Sequence, residues 1–218
     1  MKEFKSDFEF KDDRNYIHSS TLIEEMCRFF YENYYSEEKW GTPIVDAKFH
    51  KPILFNGKFL ISENSFISPE NVSVSADFRF YDGKHNITAV FVANEEANVV
   101  RRIKTSYSIR DVVLEKDFSG TCKIGCPNRS AFTENIIEAN KRIHLLTLKD
   151  KKTDLKVINL YMKRFPVYLS IENYDYILLK IENISVRLRD GILATLNSLY
   201  FPQLQSERFE MVYTVEGL

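Results

Sequence analysis

His18 and Glu24 are the residues of this 218-residue chain with the most evident chemical use. An imidazole and a carboxyl group that close in sequence, at the start of a helix, could serve as an acid/base pair on one substrate. Apolar surroundings would raise the Glu24 pKa toward the working range of such a pair. A second carboxylate, Glu138, lies 114 residues further on, in a stretch that aligns with the first at that offset. Ile23 falls on Ile137, Glu24 on Glu138 and Arg28 on Arg142. Asn135 or Asn140 could orient a substrate or a water near Glu138. The alignment extends past the helices, since Pro52 follows Glu24 by 28 residues and Pro166 follows Glu138 by 28. Both prolines come after basic and aromatic residues (Phe49-His50-Lys51, Lys163-Arg164-Phe165) and before a β-branched one (Ile53, Val167). His50, beside Pro52, is a second imidazole candidate, and both residues could contact substrate.

Each candidate has a plainer structural alternative. Thr21-x-x-Glu24 fits a capping box, in which the glutamate bonds back to the chain at the helix start. A lone His such as His18 is often structural, and His85 in a turn and His144 late in a helix look so. Ser19 and Ser20 lack the elbow motif of a nucleophile. Seven glycines, none in a G-x-G-x-x-G array, leave no phosphate cradle, so no nucleotide or other cofactor is expected. Cys122 and Cys126 have no second ligand pair, which argues against a zinc site and suits reduced thiols in a cytoplasmic protein. Thirty basic residues against thirty-one acidic ones argue against a dedicated nucleic-acid binder, and the pairs Arg101-Arg102 and Lys151-Lys152 read as solvated turns. No uncharged apolar run is long enough to span a bilayer, and the N-terminus shows no signal-peptide core.

These side chains must be placed by helices and strands. Leu22, Ile23, Met26, Phe29 and Phe30 recur at helical spacing within His18–Tyr31, giving a wide apolar face. Its counterpart runs over Ser130–Leu146. Seventeen Phe and twelve Tyr against few glycines point to a sheet-rich remainder packed with rings. Residues 4–10 suit a short strand, 12–15 a turn, and 44–55 strands that end at an Asn56-Gly57 turn. Val72–Tyr81 and Ile87–Val92 flank Asp82-Gly83 as a hairpin, as do Tyr176–Leu188 and Ile192–Phe201 around Asp190-Gly191. The offset between these two turns is 108, so their equivalence requires a six-residue deletion. Residues 149–154 read as a polar turn, 109–116 as a short helix inside a charged connection, 118–124 as a strand and 209–215 as a last strand. The chain divides as unit 1–96, connection 97–117 and unit 118–218.

Strand, long buried helix, then several antiparallel strands resembles the hot-dog fold. The expected class is α+β: a tandem (double) hot-dog, with antiparallel sheet wrapped around long central helices. The closest local similarity is to β-hydroxyacyl-carrier-protein dehydratases, with acyl thioesterases beside them. Asn15–Glu24 follows the contour of the dehydratase helix start, with Glu24 at the catalytic acid position and His18 where a proline would stand. Phe49–Lys58 resembles the family's strand with a basic residue, a proline and a Gly turn. The dehydratase His, fourteen residues before the acid, corresponds to Phe10 and Ile124. The resemblance implies an enzyme on acyl-carrier-protein or coenzyme A thioesters, a dehydratase or thioesterase of fatty-acid or secondary-metabolite synthesis. The missing His leaves open a non-catalytic protein that binds an acyl chain or a protein partner. A tandem repeat could satisfy the pairing of units within one chain, with a homodimer as an open alternative.

Overall fold

The computed structural model describes residues 2–11, 15–63, 74–99, 101–126, 128–149, 155–167, 169, 171–204 and 206–216. The expected turns at 12–15 and 149–154 and the start of the 72–81 strand lie largely outside them, as do the side chains of Arg101 and Arg102. The chain forms two compact units, Met1–Ser106 with Phe165–Tyr168, and Tyr107–Arg164 with Leu169–Leu218.

In the first unit β1 (Lys2–Ser6) and β2 (Glu9–Lys11) precede α1 (Ser19–Asn33). Then come β3 (Ile44–Phe49), β4 (Phe55–Ser62), β5 (Val74–Tyr81), β6 (Asn86–Asn98) and β7 (Arg101–Ile103). The antiparallel order is β1-β4-β6-β5-β3, and β2 pairs with β7 in a separate parallel ribbon. The helix forms where the apolar spacing requires it: Leu22, Ile23, Met26, Cys27 and Phe30 are buried along one stripe. Glu25, Arg28 and Glu32 form an exposed ion-pair ladder on the other side, worth a few tenths of a kcal/mol per pair. Rings hold the helix to the sheet, with Phe30 stacked on Phe80 at 4.5 Å and edge-on to Trp40 at 4.8 Å. Phe59 meets Phe8, Phe78 and Phe91. Buried Ala47, Ala76 and Ala89 on the neighbouring strands leave space for these rings.

In the second unit β8 (Ile109–Lys116) and β9 (Ser119–Gly125) precede α2 (Arg129–Thr147). After it come β10 (Lys156–Pro166), β11 (Tyr176–Arg189), β12 (Ile192–Tyr200) and β13 (Phe209–Glu216). The antiparallel order is β10-β13-β12-β11-β9-β8. Asn128 caps α2, its side chain accepting the Ala131 N–H at 2.9 Å. Buried Phe132, Ile136, Ile137, Ala139 and Ile143 give the helix a wide enclosed face.

Four expectations need correction. Residues 109–116 form strand β8, not a helix: pairing with β9 overrides a spacing that also fits a helix, and bulges interrupt the ladder. Asn56-Gly57 is not a turn but part of β4, at a register shift against β6. The buried Asn56 amide accepts the Phe8 N–H at 2.8 Å and donates to the Asn98 carbonyl at 3.3 Å. The residue 4–10 strand is broken into β1 and β2. Both Asp-Gly pairs do turn hairpins, with Gly83 and Gly191 at positive φ, but they are not equivalent. Asp82-Gly83 joins the third and fourth strands after its helix, Asp190-Gly191 the second and third. Both units place the pre-helix strand beside the second strand after the helix and the first at the far end, with the inner two exchanged.

Gly57 is required by a close approach. A Cβ there would lie 2.1 Å from the Val92 carbonyl oxygen and 2.9 Å from the Ala93 Cα, both backbone. Gly57→Ala is expected to lower stability by about 1–3 kcal/mol, measured as a drop in the urea midpoint. An unchanged midpoint would contradict this packing.

Candidate functional site

His18 is the N-cap of α1, in extended conformation. Its carbonyl accepts the Thr21 N–H at 3.0 Å and the Leu22 N–H at 3.4 Å. Its ring Nδ1 is hydrogen-bonded to the buried Ser20 Oγ at 2.7 Å. The capping box is not formed: Thr21 lies inside the helix, and its buried Oγ1 has no hydrogen-bond partner among the described residues. Glu24 is therefore not a capping residue; it is half-buried, with Oε1 shut off from water. Six residues of helix place it roughly 9 Å along the axis from His18. That exceeds hydrogen-bond reach, so an acid/base pair of these two would have to be bridged by substrate.

The chain just before His18 is tied to the strand after Pro52. Ile17 and Ile53 form an isolated antiparallel bridge, the Ile17 N–H donating to the Ile53 carbonyl at 2.7 Å. This register sets His18 opposite the exposed Pro52. His50, two residues earlier, donates from Nε2 to Asp77 Oδ2 on β5 at 2.6 Å, and its backbone N–H bonds the Ser75 carbonyl. The structure thus brings together His18 and Pro52 and fixes His50 against a carboxylate.

Glu138 projects from α2 with its side chain 14% exposed, 3.6 Å from the Arg142 guanidinium. Asn135, fully enclosed, has both ends of its amide bound to backbone. Oδ1 accepts the Ser108 N–H and Nδ2 donates to the Gly125 carbonyl, each at 3.0 Å. It therefore clasps the chain entering β8 to the end of β9.

The buried face of α2 also carries a polar network. Asn183 Nδ2 donates to Asn197 Oδ1, and Asn197 Nδ2 to Asn140 Oδ1, both at 2.8 Å. His144 has no exposed surface. Its Nδ1 donates to the Asn140 carbonyl at 2.8 Å and its Nε2 accepts the Thr195 hydroxyl at 2.6 Å. Both ring nitrogens are committed, so His144 has no position from which to take a substrate proton. Tyr213 donates its hydroxyl to the Ile137 carbonyl at 3.1 Å. Burial, reinforced by the Glu138 charge, raises its pKa well above the usual phenol value. Thr195, Asn197 and Tyr213 have no distinguishing motif in sequence. The available signal was the repetition of Asn135, Asn140 and His144 at helical spacing among apolar residues, which marks polar groups facing inward.

Burial pushes the Cys122 thiol up to about 12 and the Cys126 thiol up to about 11, so both stay protonated at neutral pH. Among the described residues no cluster of His, Cys, Asp and Glu could hold a metal ion, and no helix is long and apolar enough to cross a membrane.

No family model matches the sequence, and no curated protein matches it. Solved structures do resemble it. The dehydratase domain from the CurJ module of curacin polyketide synthase is 11% identical with a TM-score of 0.54, over 91% of this chain and 82% of that one. The dehydratase domain of RzxB from Pseudomonas fluorescens is 10% identical with a TM-score of 0.53, over 99% and 94%. A monomeric dehydratase domain from a trans-AT polyketide synthase split module is 9% identical with a TM-score of 0.53, over the full length of both chains. At such identities the likeness is one of fold, and the chain has the hot-dog fold.

Burial holds the His144 pKa down at about 4, against an ordinary value of 6.5. The folded state thus favours neutral imidazole, and its contribution is complete above pH 6.5. Below that the unfolded chain binds the proton first, and stability falls until pH reaches about 4. The difference amounts to roughly 3 kcal/mol. The stability advantage of wild type over His144→Gln is therefore expected to shrink by roughly 3 kcal/mol as pH falls through this window. Equilibrium unfolding at a series of pH values measures it, and a constant advantage would rule out neutral burial of His144.

Proposed function

We propose that this chain acts on acyl thioesters, carried by acyl carrier protein or coenzyme A, as a double hot-dog protein of fatty-acid or secondary-metabolite synthesis in the cytoplasm. Its two hot-dog units are 1–96 and 118–218, joined through 97–117. Support for the tandem reading is the succession of strand, helix and four strands, present twice, with Glu24 and Glu138 on the two helices. The exchanged inner strands are the departure from it. Support for the substrate class is that the similar folds above are dehydratase domains, two of them of polyketide synthases.

The observation that carries the reading is a half-buried carboxylate, Glu24, on the same helix whose mouth holds an imidazole, His18. Loss of water from a hydroxyacyl thioester needs a base for the α-proton and an acid for the departing hydroxyl, and thioester hydrolysis needs a base for water. Glu24 and His18 supply these roles from two sides of a bridging acyl group. Glu138 is the corresponding carboxylate of the second unit. Pro52 and His50 border the His18 end of the substrate path. Asn135 acts from behind, fixing the backbone beside Glu138's helix.

A second reading, a hot-dog protein that binds an acyl chain or a protein partner without chemistry, is favoured by one observation. The positions of the dehydratase His are Phe10 and Ile124, and Ile124 is fully buried in β9.

The two readings separate when the full chain is incubated with a panel of acyl-coenzyme A and acyl-carrier-protein thioesters and the products are weighed by intact-mass spectrometry. Loss of water or release of free acid is expected, reduced about 100-fold or more by Glu24→Ala or His18→Ala. Bound but unchanged thioesters would replace the catalytic reading with the binding one, and no binding at all would remove both.

A further inference from the structure

The outer half of β11 has an open edge. β9 pairs with β11 only as far as Ile181, which stands opposite Gly120. On the other side β12 accompanies β11 to Arg189. Beyond Ile181 the Asn183 N–H donates to the Ser119 Oγ of β9 at 2.8 Å, and among the described residues no strand pairs with the free edge of 184–189. Large apolar side chains stand along it: Ile184 is 53% exposed, Val186 43% and Leu188 67%. A bulge between Asn183 and Ser185 resets the alternation. Val186 and Leu188 then share the face of their buried cross-strand partners, Thr195 and Leu193. The apolar inner face of the sheet thus continues past the part that is covered. Arg187 and Arg189 alternate with these residues on the opposite face. An unpaired edge with an apolar face is a template for another strand unless something blocks it.

We propose that this edge pairs with the same edge of a second copy of the chain, antiparallel about a two-fold axis at Val186. The charge pattern selects both occupant and register. With the axis at Val186, each Leu188 lies opposite an Ile184 and each Arg187 opposite a Ser185, while Arg189 lies beyond the paired segment, across from the bulge where Ser119 holds the Asn183 N–H. Apolar residues meet apolar ones, and each Arg187 meets a neutral polar residue. Moving the axis to Arg187 sets Arg187 against itself, and moving it to Leu188 sets Arg187 against Arg189. Like charges directly opposite each other destabilise a strand pair. Moving it to Ser185 sets Arg189 against Ile181, a position β9 already occupies. The segment is thus self-complementary in one register without any foreign sequence. The interface is independent of the thioester chemistry proposed above.

Sedimentation velocity of the full chain, at concentrations from about 1 to 100 μM to cover common homodimer affinities, tests the interface. Wild type is expected to dimerise. Val186→Lys puts two ammonium groups face to face at the axis and should give monomers with an unchanged far-ultraviolet circular dichroism spectrum. Leu188→Lys does the same off the axis and serves if the first variant fails to fold. Ser185→Glu sets an acid opposite the partner subunit's Arg187 on both sides of the axis and should tighten the dimer about fivefold. The proposal is overturned if wild type is monomeric throughout, if the dimer survives both lysine substitutions, or if Ser185→Glu leaves it no tighter.

Discussion

A buried helix face has no water to satisfy polar groups, and α2 carries Asn135, Asn140 and His144 on such a face. An unpaired buried polar group costs about 1–3 kcal/mol, so each of these residues dictates what stands opposite it. Asn140 requires a donor and finds Asn197; His144 requires a hydroxyl at Nε2 and finds Thr195. Both partners lie on β12, two residues apart and therefore on one face of the strand. The network thereby fixes the register of β12 against the helix. A slip of one residue would turn Thr195 and Asn197 outward and leave the helix groups bare.

The first unit meets the same geometric demand by other means. Its helix presents Leu22, Ile23, Met26, Cys27 and Phe30, and the sheet answers with Phe59, Phe78, Phe80 and Phe91. Ring-on-ring packing tolerates small shifts that a chain of amide and imidazole hydrogen bonds does not, because dispersion is less directional. Two units with the same order of strand and helix thus have cores of different chemistry. Little residue identity between the halves is required for both to bury one helix.

Much of this was legible where a single period governed the residues. The α1 stripe and the apolar positions of α2 are set by helical spacing, and both helices lie within a residue or two of expectation. The Asp-Gly turns are local, since positive φ at Gly83 and Gly191 depends on the glycine itself. What failed depended on distant partners. Ile109–Lys116 fits either period, and only β9 decides for strand. Asn56-Gly57 looks like a turn, yet Gly57 is needed because the Val92 carbonyl passes close to it, and Asn56 because Phe8 and Asn98 need its amide. Thr21-x-x-Glu24 matched a capping box, but the helix begins two residues earlier, at Ser19, which puts Thr21 in its first turn. The inward polar residues of α2 were visible in position but not in role, because their partners on β12 carry no motif.

The same hydrogen-bond accounting limits the chemistry this fold can perform. His144 is committed at both nitrogens inside the core. His85 is held by Asp82 across a hairpin turn, 3.2 Å away, with its ring against Trp40. His50 is bound to Asp77, which orients the ring. His18 alone stands at a helix mouth, its ring held by Ser20 and its chain set opposite Pro52 through the Ile17–Ile53 bridge. Were a thioester to lose an α-proton to His18, the base would come from the helix start and not from the preceding strand, where Phe10 and Ile124 stand. Such an inversion would preserve the acid on the helix while moving the base to the other side of the substrate. The acyl group would then have to span the roughly 9 Å between His18 and Glu24. That span suits a base and an acid working on separate atoms of one chain better than a pair sharing a single proton.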